Sequence, residues 1–458
     1  MATHSCVDKK VLLRYSERLL DSNLSGLSGR DVAIILNALV RLSHPDRRVF
    51  GKAGCFLRSL PVTEFIGERD LGLIFNAYAR AGVLDEDLFQ SLNGRVLVQL
   101  SVLSPKTSGN ICHALGKLKS TSEPSRDLII KIAEHVSTNV GNRVSPPELS
   151  NVLYSLGNLG IRDLPVIDPL LKLVCSKIHW FNPIEMSAVA TALCKLSITD
   201  RSLLKALAKQ VQTKADYFDA YEIVAILHAY SQLDIKAPRG IFLEVAPKIL
   251  MSKDMNSHTA SIAYCAYSRV GLALPAELLV RLGGMISTEN DPQYLVNVLF
   301  AYSKGTSGAA STPILETIVT KLLKRPFPVN PINLNQLLYG INRLTFSEWE
   351  NPLVVELYRK VVLESLRAVA DFTPTQLSNI LFAISHRLPL TLTEHEIQLV
   401  KRVVNSTDFL SSLSPQLLSS VQESVTMLGM GSDSFRLEIQ SQLEATLWDT
   451  AKTPARDH

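Results

Sequence analysis

The chain has 458 residues, of which 46% are hydrophobic and 20% charged, and its formal net charge is +4. This apolar share excludes a disordered chain, and no run of about 18 apolar residues that would predict a membrane span occurs. The length exceeds that of one ordinary core, yet no linker divides the sequence. Six widely spaced cysteines without a C-x-x-C motif indicate reduced thiols rather than disulfides or a zinc site.

The N-terminal segment, residues 1–27, is predicted to form a capping helix at the start of the chain. Lys9, Lys10, Arg14 and Arg18 alternate there with apolar residues such as Leu12. The same pattern is compatible with the remnant of an amphipathic organelle presequence. The cap is the preferred interpretation, and the presequence stays open as the alternative.

From residue 28 to 430 one pattern returns eleven times: a capping residue, a helix, and a small residue ten positions after the cap. The small residues follow one another at intervals of 39, 37, 41, 37, 37, 37, 35, 39, 43 and 41. Ten of the eleven caps are Ser, Thr, Asn or Asp, which accept hydrogen bonds from first-turn amides, and seven are followed by the proline that suits a first helical position. The small residues are Ala38, Ala77, Ala114, Ser155, Ala192, Ala229, Ala266, Ala301, Gly340, Ala383 and Ser424. The caps are Ser28, Gly67, Ser104, Ser145, Asn182, Asp219, Asn256, Asp291, Asn330, Thr373 and Ser414.

Each repeat has apolar residues at fixed distances from its small residue, which we number zero. Position −3 is apolar in all eleven repeats and position +1 is Leu, Tyr, Ile or Val, so both lie on one face of a helix. A second helical stretch follows, for example at 126–138, 202–213, 277–286 and 313–323. Two helices with their turns fill about 37 residues and leave no room for a strand. The sequence therefore predicts an all-α solenoid of about eleven helix-turn-helix repeats of about 37 residues, with residues 431–458 as a C-terminal capping helix and frayed tail.

A second face of the first helices carries the candidate binding residues. Positions −4, −1 and +3 are three and four residues apart and therefore align. We name the cations at +3 the basic row: Arg41, Arg80, Lys117, Lys195, Arg269, Lys304 and Arg343. We name the side chains beside them the ring-and-amide row: Asn76, His113, Tyr154, His228, Phe300, Tyr339 and Phe382 at −1, and Asn151, Asn297 and Asn379 at −4. Single-stranded RNA needs both kinds of group, cations for its phosphates and flat or hydrogen-bonding groups for its bases.

The same two rows permit another interpretation. Position +3 falls near the helix C-terminus, where the orphan carbonyls and the helix dipole favour Lys and Arg. The rings at −1 would then serve only to pack on the next repeat. On this alternative the chain is an armadillo- or HEAT-like scaffold that binds proteins without direct RNA contact. A positive groove over the two rows favours RNA, and a mixed or apolar groove favours protein.

The period near 37 and first-helix patterns such as residues 149–156, Leu-Ser-Asn-Val-Leu-Tyr-Ser-Leu, resemble the heptatricopeptide-repeat family. That family is similar in turn to the octotricopeptide repeats and the Fas-activated serine/threonine kinase-like proteins. The resemblance covers residues 28 to about 428 and implies an α-solenoid that works on RNA in mitochondria or plastids. Many such proteins end in a small nuclease-like RAP domain, and we expect none after Met430.

Catalytic motifs are missing from the sequence. It has no P-loop, no dinucleotide-binding glycine fingerprint, no H-E-x-x-H and no G-x-S-x-G, and its ten histidines do not cluster. We therefore expect no enzyme, no cofactor and no metal site. The prediction is a mitochondrial matrix protein, with plastid or cytoplasm as alternatives, that holds single-stranded mRNA, rRNA or guide RNA. Its expected partners are the subunits of an RNA-processing, RNA-editing or ribosomal complex, possibly including a related repeat protein.

Overall fold

Helices account for the regular structure throughout the part of the chain that can be described. The structure, a computed structural model, describes residues 9–61, 64, 66–140, 143–233, 236, 238–304, 312–324, 330–368, 371–387, 398, 415–427, 437 and 441. These residues form 22 α-helices and contain no strand. The all-α prediction is confirmed. The predicted C-terminal cap and tail, 431–458, lie outside the described residues except for 437 and 441.

Residue contacts divide the chain into two units, Met1–Ile249 and Leu250–His458. Unit 1 contains α1 Lys9–Asp21, α2 Gly29–Arg41, α3 Arg47–Ser59, α4 Glu68–Ala81, α5 Glu86–Val98, α6 Pro105–Leu118, α7 Glu123–His135, α8 Pro146–Asn158, α9 Leu164–Lys177, α10 Pro183–Leu196, α11 Arg201–Thr213 and α12 Ala220–Gln232. Helix α13, Ala246–Ser252, lies at the division. Unit 2 contains α14 Ser257–Arg269, α15 Ala276–Ile286, α16 Pro292–Lys304, α17 Thr312–Leu323, α18 Pro331–Asn342, α19 Phe346–Trp349, α20 Pro352–Arg367, α21 Pro374–Arg387 and α22 Pro415–Met427.

The capping residues set where the first helices begin. All eleven first helices start at the residue directly after the predicted cap. In α10 the side chain of Asn182 accepts a hydrogen bond from the Glu185 amide at 3.0 Å, and the Glu185 carboxylate accepts one from the Asn182 amide at 2.8 Å. Asp219 and Glu222 form the same reciprocal pair at α12. Two otherwise orphaned amides are thereby satisfied at each of these helix starts.

Within each unit the first helices stack on one another. In unit 1 the order is α2, α4, α6, α8, α10, α12, with α3, α5, α7, α9 and α11 in a second layer, and in unit 2 it is α14, α16, α18, α21, α22. A Cβ added to Gly109 would lie 3.1 Å from the Glu148 Cα, and one added to Gly116 would lie 2.7 Å from the Ser155 Cα. From the first contact to the second, the residue number rises by seven in each helix, so α6 and α8 run parallel. Small residues allow this close approach.

Burial follows the predicted positions, with one exception at the start of the stack. Position +1 is buried in all eleven repeats, and position −3 is buried in every repeat but the first, where Ile35 is half-buried. The small residue is likewise buried everywhere except at Ala38, which is exposed. Ala38 therefore differs from the ten other small residues, which lie on a covered face. The small residue packs against the preceding first helix, as Ser155 and Ala192 do, and no first helix is stacked before α2 among the described residues.

Several cations have a structural use that the sequence patterns did not indicate. In unit 1, Arg95 donates to the Leu60 and Glu64 carbonyls at 2.9 and 2.7 Å, and Lys177 donates to the Val144 carbonyl at 2.6 Å. In unit 2, Lys321 and Lys360 donate in the same way to connector or helix-end carbonyls at 2.5 and 2.9 Å. Each of these side chains ties a second helix to the connector that leads into its repeat, or in the case of Lys360 to the end of α17, since buried carbonyls need a donor.

Candidate nucleic-acid interface

The basic row is exposed to solvent. Arg41, Arg80, Lys117 and Lys195 are exposed in unit 1, and Arg269 and Arg343 are exposed in unit 2. Lys304 is the last residue of α16, and its side chain lies outside the described part of the structure. The exposure follows from the helix geometry, because position +3 points away from the face that buries −3 and +1.

The described cations of the basic row fall into two groups. The Lys195 Nζ lies 5.5 Å from the centre of the Tyr154 ring and donates to the Asn158 side chain. Arg343 lies 5.5 Å from the Tyr339 ring centre and donates to its hydroxyl at 3.2 Å. No described residue forms a hydrogen bond or ion pair with the side chains of the other four, which are Arg41, Arg80, Lys117 and Arg269. Their charges are therefore directed at solvent and at any bound anion.

In unit 1 three side chains of the ring-and-amide row contact neighbouring residues of the same surface. The rings of His113 and Tyr154 stack with centres 5.8 Å apart at 27°, and Tyr154 also has Lys195 as a neighbour. Burial and the nearby Lys117 charge lower the pKa of His113, so its imidazole stays neutral near pH 7. The Nε2 of His228 lies 3.2 Å from the Gln232 side-chain nitrogen. Asn76, Asn151 and His228 are each half-buried.

In unit 2 part of the ring-and-amide row opens onto a cavity. Four predicted residues line it together: Tyr339, Arg343, Asn379 and Phe382. Its volume is about 360 Å³, and its other lining residues are Asn342, Ser378, Leu417 and Ser420. Sequence reasoning missed those four, although Ser420 occupies position −4 of the last repeat and was within reach of the same pattern. We name this space the α18–α22 cavity.

The neighbours of the α18–α22 cavity hold its lining in place. The Phe300 and Tyr339 rings meet with centres 5.4 Å apart, and the Asn379 amide donates to the Asn335 side chain at 2.9 Å. Phe300 and Asn297 are half-buried on α16 and lie beside the cavity lining rather than in it. Two rings, one guanidinium and two side-chain amides thus surround a space in the size range of small-molecule sites.

A second cavity, of about 550 Å³, lies in the second-helix layer of unit 1. Three cations line it, Arg201, Lys205 and Lys236, together with Tyr230 and the apolar residues Leu204, Ala208 and Pro238. The Tyr230 hydroxyl donates to the Leu204 carbonyl at 2.6 Å. The sequence interpretation did not single out these cations. Arg201 and Lys205 stand four apart at the start of α11, which is the signal that places them on one face.

Among the residues that the structure describes, no helix combines the length and the apolar character that crossing a bilayer requires. No three His, Cys, Asp or Glu side chains among them stand close enough together to bind one metal ion.

Comparison with known proteins finds similarity at the level of structure only. No protein-family model matches the chain, and no curated protein sequence does. A homology model of the full-length AP-3 complex in an intermediate open conformation matches with 13% identity and a TM-score of 0.37, over 93% of this chain and 73% of that one. The pentatricopeptide repeat protein PPR10 from maize matches with 12% identity and a TM-score of 0.32, over 99% and 72%. A circular tandem repeat protein matches with 13% identity and a TM-score of 0.16, over 97% and 92%. The solenoid assignment rests on the helices of this chain, which form a helical-repeat protein.

Proposed function

We propose that this chain is a non-catalytic RNA-binding protein that holds single-stranded RNA along its first helices. One observation supports the proposal: exposed cations of the basic row adjoin rings and amides of the ring-and-amide row in both units. Lys195 lies against Tyr154 in unit 1, and Arg343 lies against Tyr339 in unit 2. Phosphates and bases of one strand need this pairing of groups at short distance.

The charge distribution also favours a polyanionic ligand for this surface. The net charge is only +4, yet four cations of the basic row point to solvent without an acidic partner among the described residues. Helix-end preference explains why Lys and Arg are tolerated at +3. It does not explain why rings and amides stand beside them in successive repeats.

The cellular setting belongs to the same proposal. The repeat pattern resembles the heptatricopeptide-repeat family, so we place the protein in the mitochondrial matrix, on mRNA, rRNA or guide RNA. There it would act within an RNA-processing, RNA-editing or ribosomal complex. Helix α1 would cap the repeat region at its start.

A charge-removal variant tests the proposal. Arg41, Arg80, Lys117 and Arg269 are changed together to Ala, because each is exposed and has no described partner. Binding of single-stranded RNA should weaken, and the log–log salt slope should flatten by about three units, at about 0.7 per lost phosphate contact. Filter binding over a salt series measures both quantities.

The control removes the same charge from the other helix layer. Lys131, Lys172, Lys209 and Lys248 are exposed outside the first helices and are likewise changed to Ala. This variant should keep the parent's affinity and slope. Equal slopes for the parent and the basic-row variant would contradict RNA binding by this surface. Equal losses in both variants would show only an effect of net charge.

An exposed apolar surface in unit 1 favours a second function, the binding of a protein partner. Trp180 and Tyr217 occupy equivalent connectors 37 residues apart and are 63% and 78% exposed. Ile184 and Tyr221, also 37 apart, are exposed beside them at the starts of α10 and α12. Trp and Tyr in such positions are typical anchors of protein interfaces. Changing Trp180 and Tyr217 to Ser should abolish co-purification of complex subunits without changing RNA affinity. Retention of those subunits by the variant would contradict protein binding through this surface.

A further inference from the structure

The ring-and-amide row differs between the two units in a way that affects what it can bind. In unit 1 the Tyr154 ring has the His113 imidazole and the Lys195 ammonium as neighbours. In unit 2 Tyr339 and Phe382 line an open cavity of about 360 Å³ and are 37% and 39% exposed. Tyr339 has the equivalent neighbours Phe300 and Arg343, yet it is exposed at a cavity that Phe382 lines with it, whereas Tyr154 is half-buried.

We infer that the α18–α22 cavity is a subsite for one unstacked nucleobase of the bound strand, whereas the corresponding positions of unit 1 contribute through their cations alone. This inference rests on the proposed function, since it assigns part of the same surface to base recognition. Only unit 2 would then discriminate between RNA sequences.

The lining of the cavity fits a base better than a polyphosphate. Arg343 is its only described cation, while Tyr339 and Phe382 provide aromatic surface and Leu417 provides an apolar wall. A polyphosphate needs several converging charges, but a base needs flat surface and a few hydrogen-bonding groups. Base-on-ring stacking tolerates every base because each has a π-face.

Hydrogen-bonding capacity is present at the cavity as well. Arg343 uses one of its five N–H donors on the Tyr339 hydroxyl, which leaves the guanidinium further donors for a base edge or a phosphate. Asn379 donates from Nδ2 to Asn335, and an amide has further donor and acceptor positions. The exposed Arg343 guanidinium lies beside the Tyr339 ring. A phosphate bound by this cation would therefore lie next to a base bound in the cavity.

Matched single substitutions separate the two units. Phe382→Leu removes a ring from the cavity, and Tyr154→Leu removes the equivalent ring of unit 1. The probes are oligouridylate, oligoadenylate and an abasic ribose-phosphate strand, all of equal length. Phe382→Leu should weaken binding of an oligonucleotide by about 5- to 150-fold, as expected for the loss of one stacked base, with the salt slope unchanged. Its binding of the abasic strand should stay within about twofold of the parent, as should Tyr154→Leu on all probes.

Folding is controlled by Phe382→Tyr, which keeps the ring and should keep the affinity of the parent. Equal losses for Phe382→Leu and Tyr154→Leu would overturn the inference and leave the proposed function standing. So would a loss by Phe382→Leu that is the same on the abasic strand. A parent protein that binds none of the three probes would overturn the proposed function together with the inference.

Photocrosslinking gives a readout that does not depend on affinity. Oligouridylate carrying 4-thiouridine should crosslink to peptides of α18 or α21 in the parent protein. Phe382→Leu should reduce those crosslinks. Crosslinks confined to residues 1–249 would overturn the inference.

Discussion

At the scale of single residues, the interface combines groups with distinct tasks. Arg41, Arg80, Lys117 and Arg269 offer charge to solvent, whereas Lys195 and Arg343 also contact rings. Cations outside the interface, such as Lys177 and Lys321, hold connector carbonyls instead. Charge alone therefore does not identify a binding residue in this protein, and the surroundings of each cation decide its task.

His113 gives a prediction about how the stability of the protein changes with pH. Burial first, and then the Lys117 charge, lower its pKa in the folded chain, so only the unfolded chain takes up a proton as the pH falls through about 6.5. The stability contributed by the neutral ring is present above that pH and is lost below it. His113→Phe keeps a ring against Tyr154 without the titration. Urea unfolding at about pH 7.5 and about pH 5.5 should show a smaller loss of stability for the variant than for the parent, and parallel losses would contradict this account.

At the scale of helices, close parallel packing depends on small residues at defined positions. Ser155 and Ala192 each face a glycine of the preceding first helix. The Cβ of any larger residue at Gly116 would meet the α8 backbone, not a flexible side chain. The small-residue pattern therefore indicates where first helices pack closely, and it does not indicate a binding site.

Two glycine substitutions test this packing. Gly116→Ala places a Cβ 2.7 Å from the Ser155 Cα, so α6 and α8 must separate, at a cost of about 1–3 kcal/mol. Gly94→Ala, at an exposed position of α5, meets nothing within 4 Å and should stabilise the protein by about 0.4–1 kcal/mol through helix propensity and chain entropy. Denaturant unfolding of both variants measures the difference. Equal effects would mean that the two first helices are not in this register.

At the scale of the whole molecule, the repeats within each unit pack mainly against their sequence neighbours. Stability in such an array is close to a sum of repeat and nearest-neighbour terms. A defect in one repeat should therefore spread only to adjacent repeats. This organisation also lets one surface property, such as the basic row, extend through successive repeats of one unit without a central site.

Hydrogen exchange tests this local organisation. Leu156 is fully buried in α8, and Leu156→Ala should cost about 2–5 kcal/mol. Exchange followed by mass spectrometry should speed up in α6, α8 and α10, the stacked neighbours, and change little in α18. Leu84→Ala, at an exposed position, is the control and should alter neither region. A uniform increase across the chain after Leu156→Ala would show all-or-none cooperativity instead.

The sequence by itself determined the class of fold, the starts of the first helices and most core positions. Asn182 or Asp219 can be recognised as caps because they bond to amides three residues away, and Leu156 can be recognised as core from its spacing. Both signals involve residues only a few positions apart, so they can be recognised in the sequence. The basic row was predictable in the same way as an exposed face, although its binding of RNA stays a prediction.

The tertiary structure decided which faces are covered. Ala38 carries the same signal as Ala192 yet is exposed, because no first helix is stacked before α2 among the described residues. Tyr154 and Phe382 occupy equivalent positions, but one packs beside His113 and Lys195 while the other lines a cavity. Lys177 resembles any helix-end cation until the Val144 carbonyl lies 2.6 Å from it. Contacts of this kind join residues about 33–44 positions apart in sequence. Only the packing of the helices brings such residues together and determines how much space lies between them.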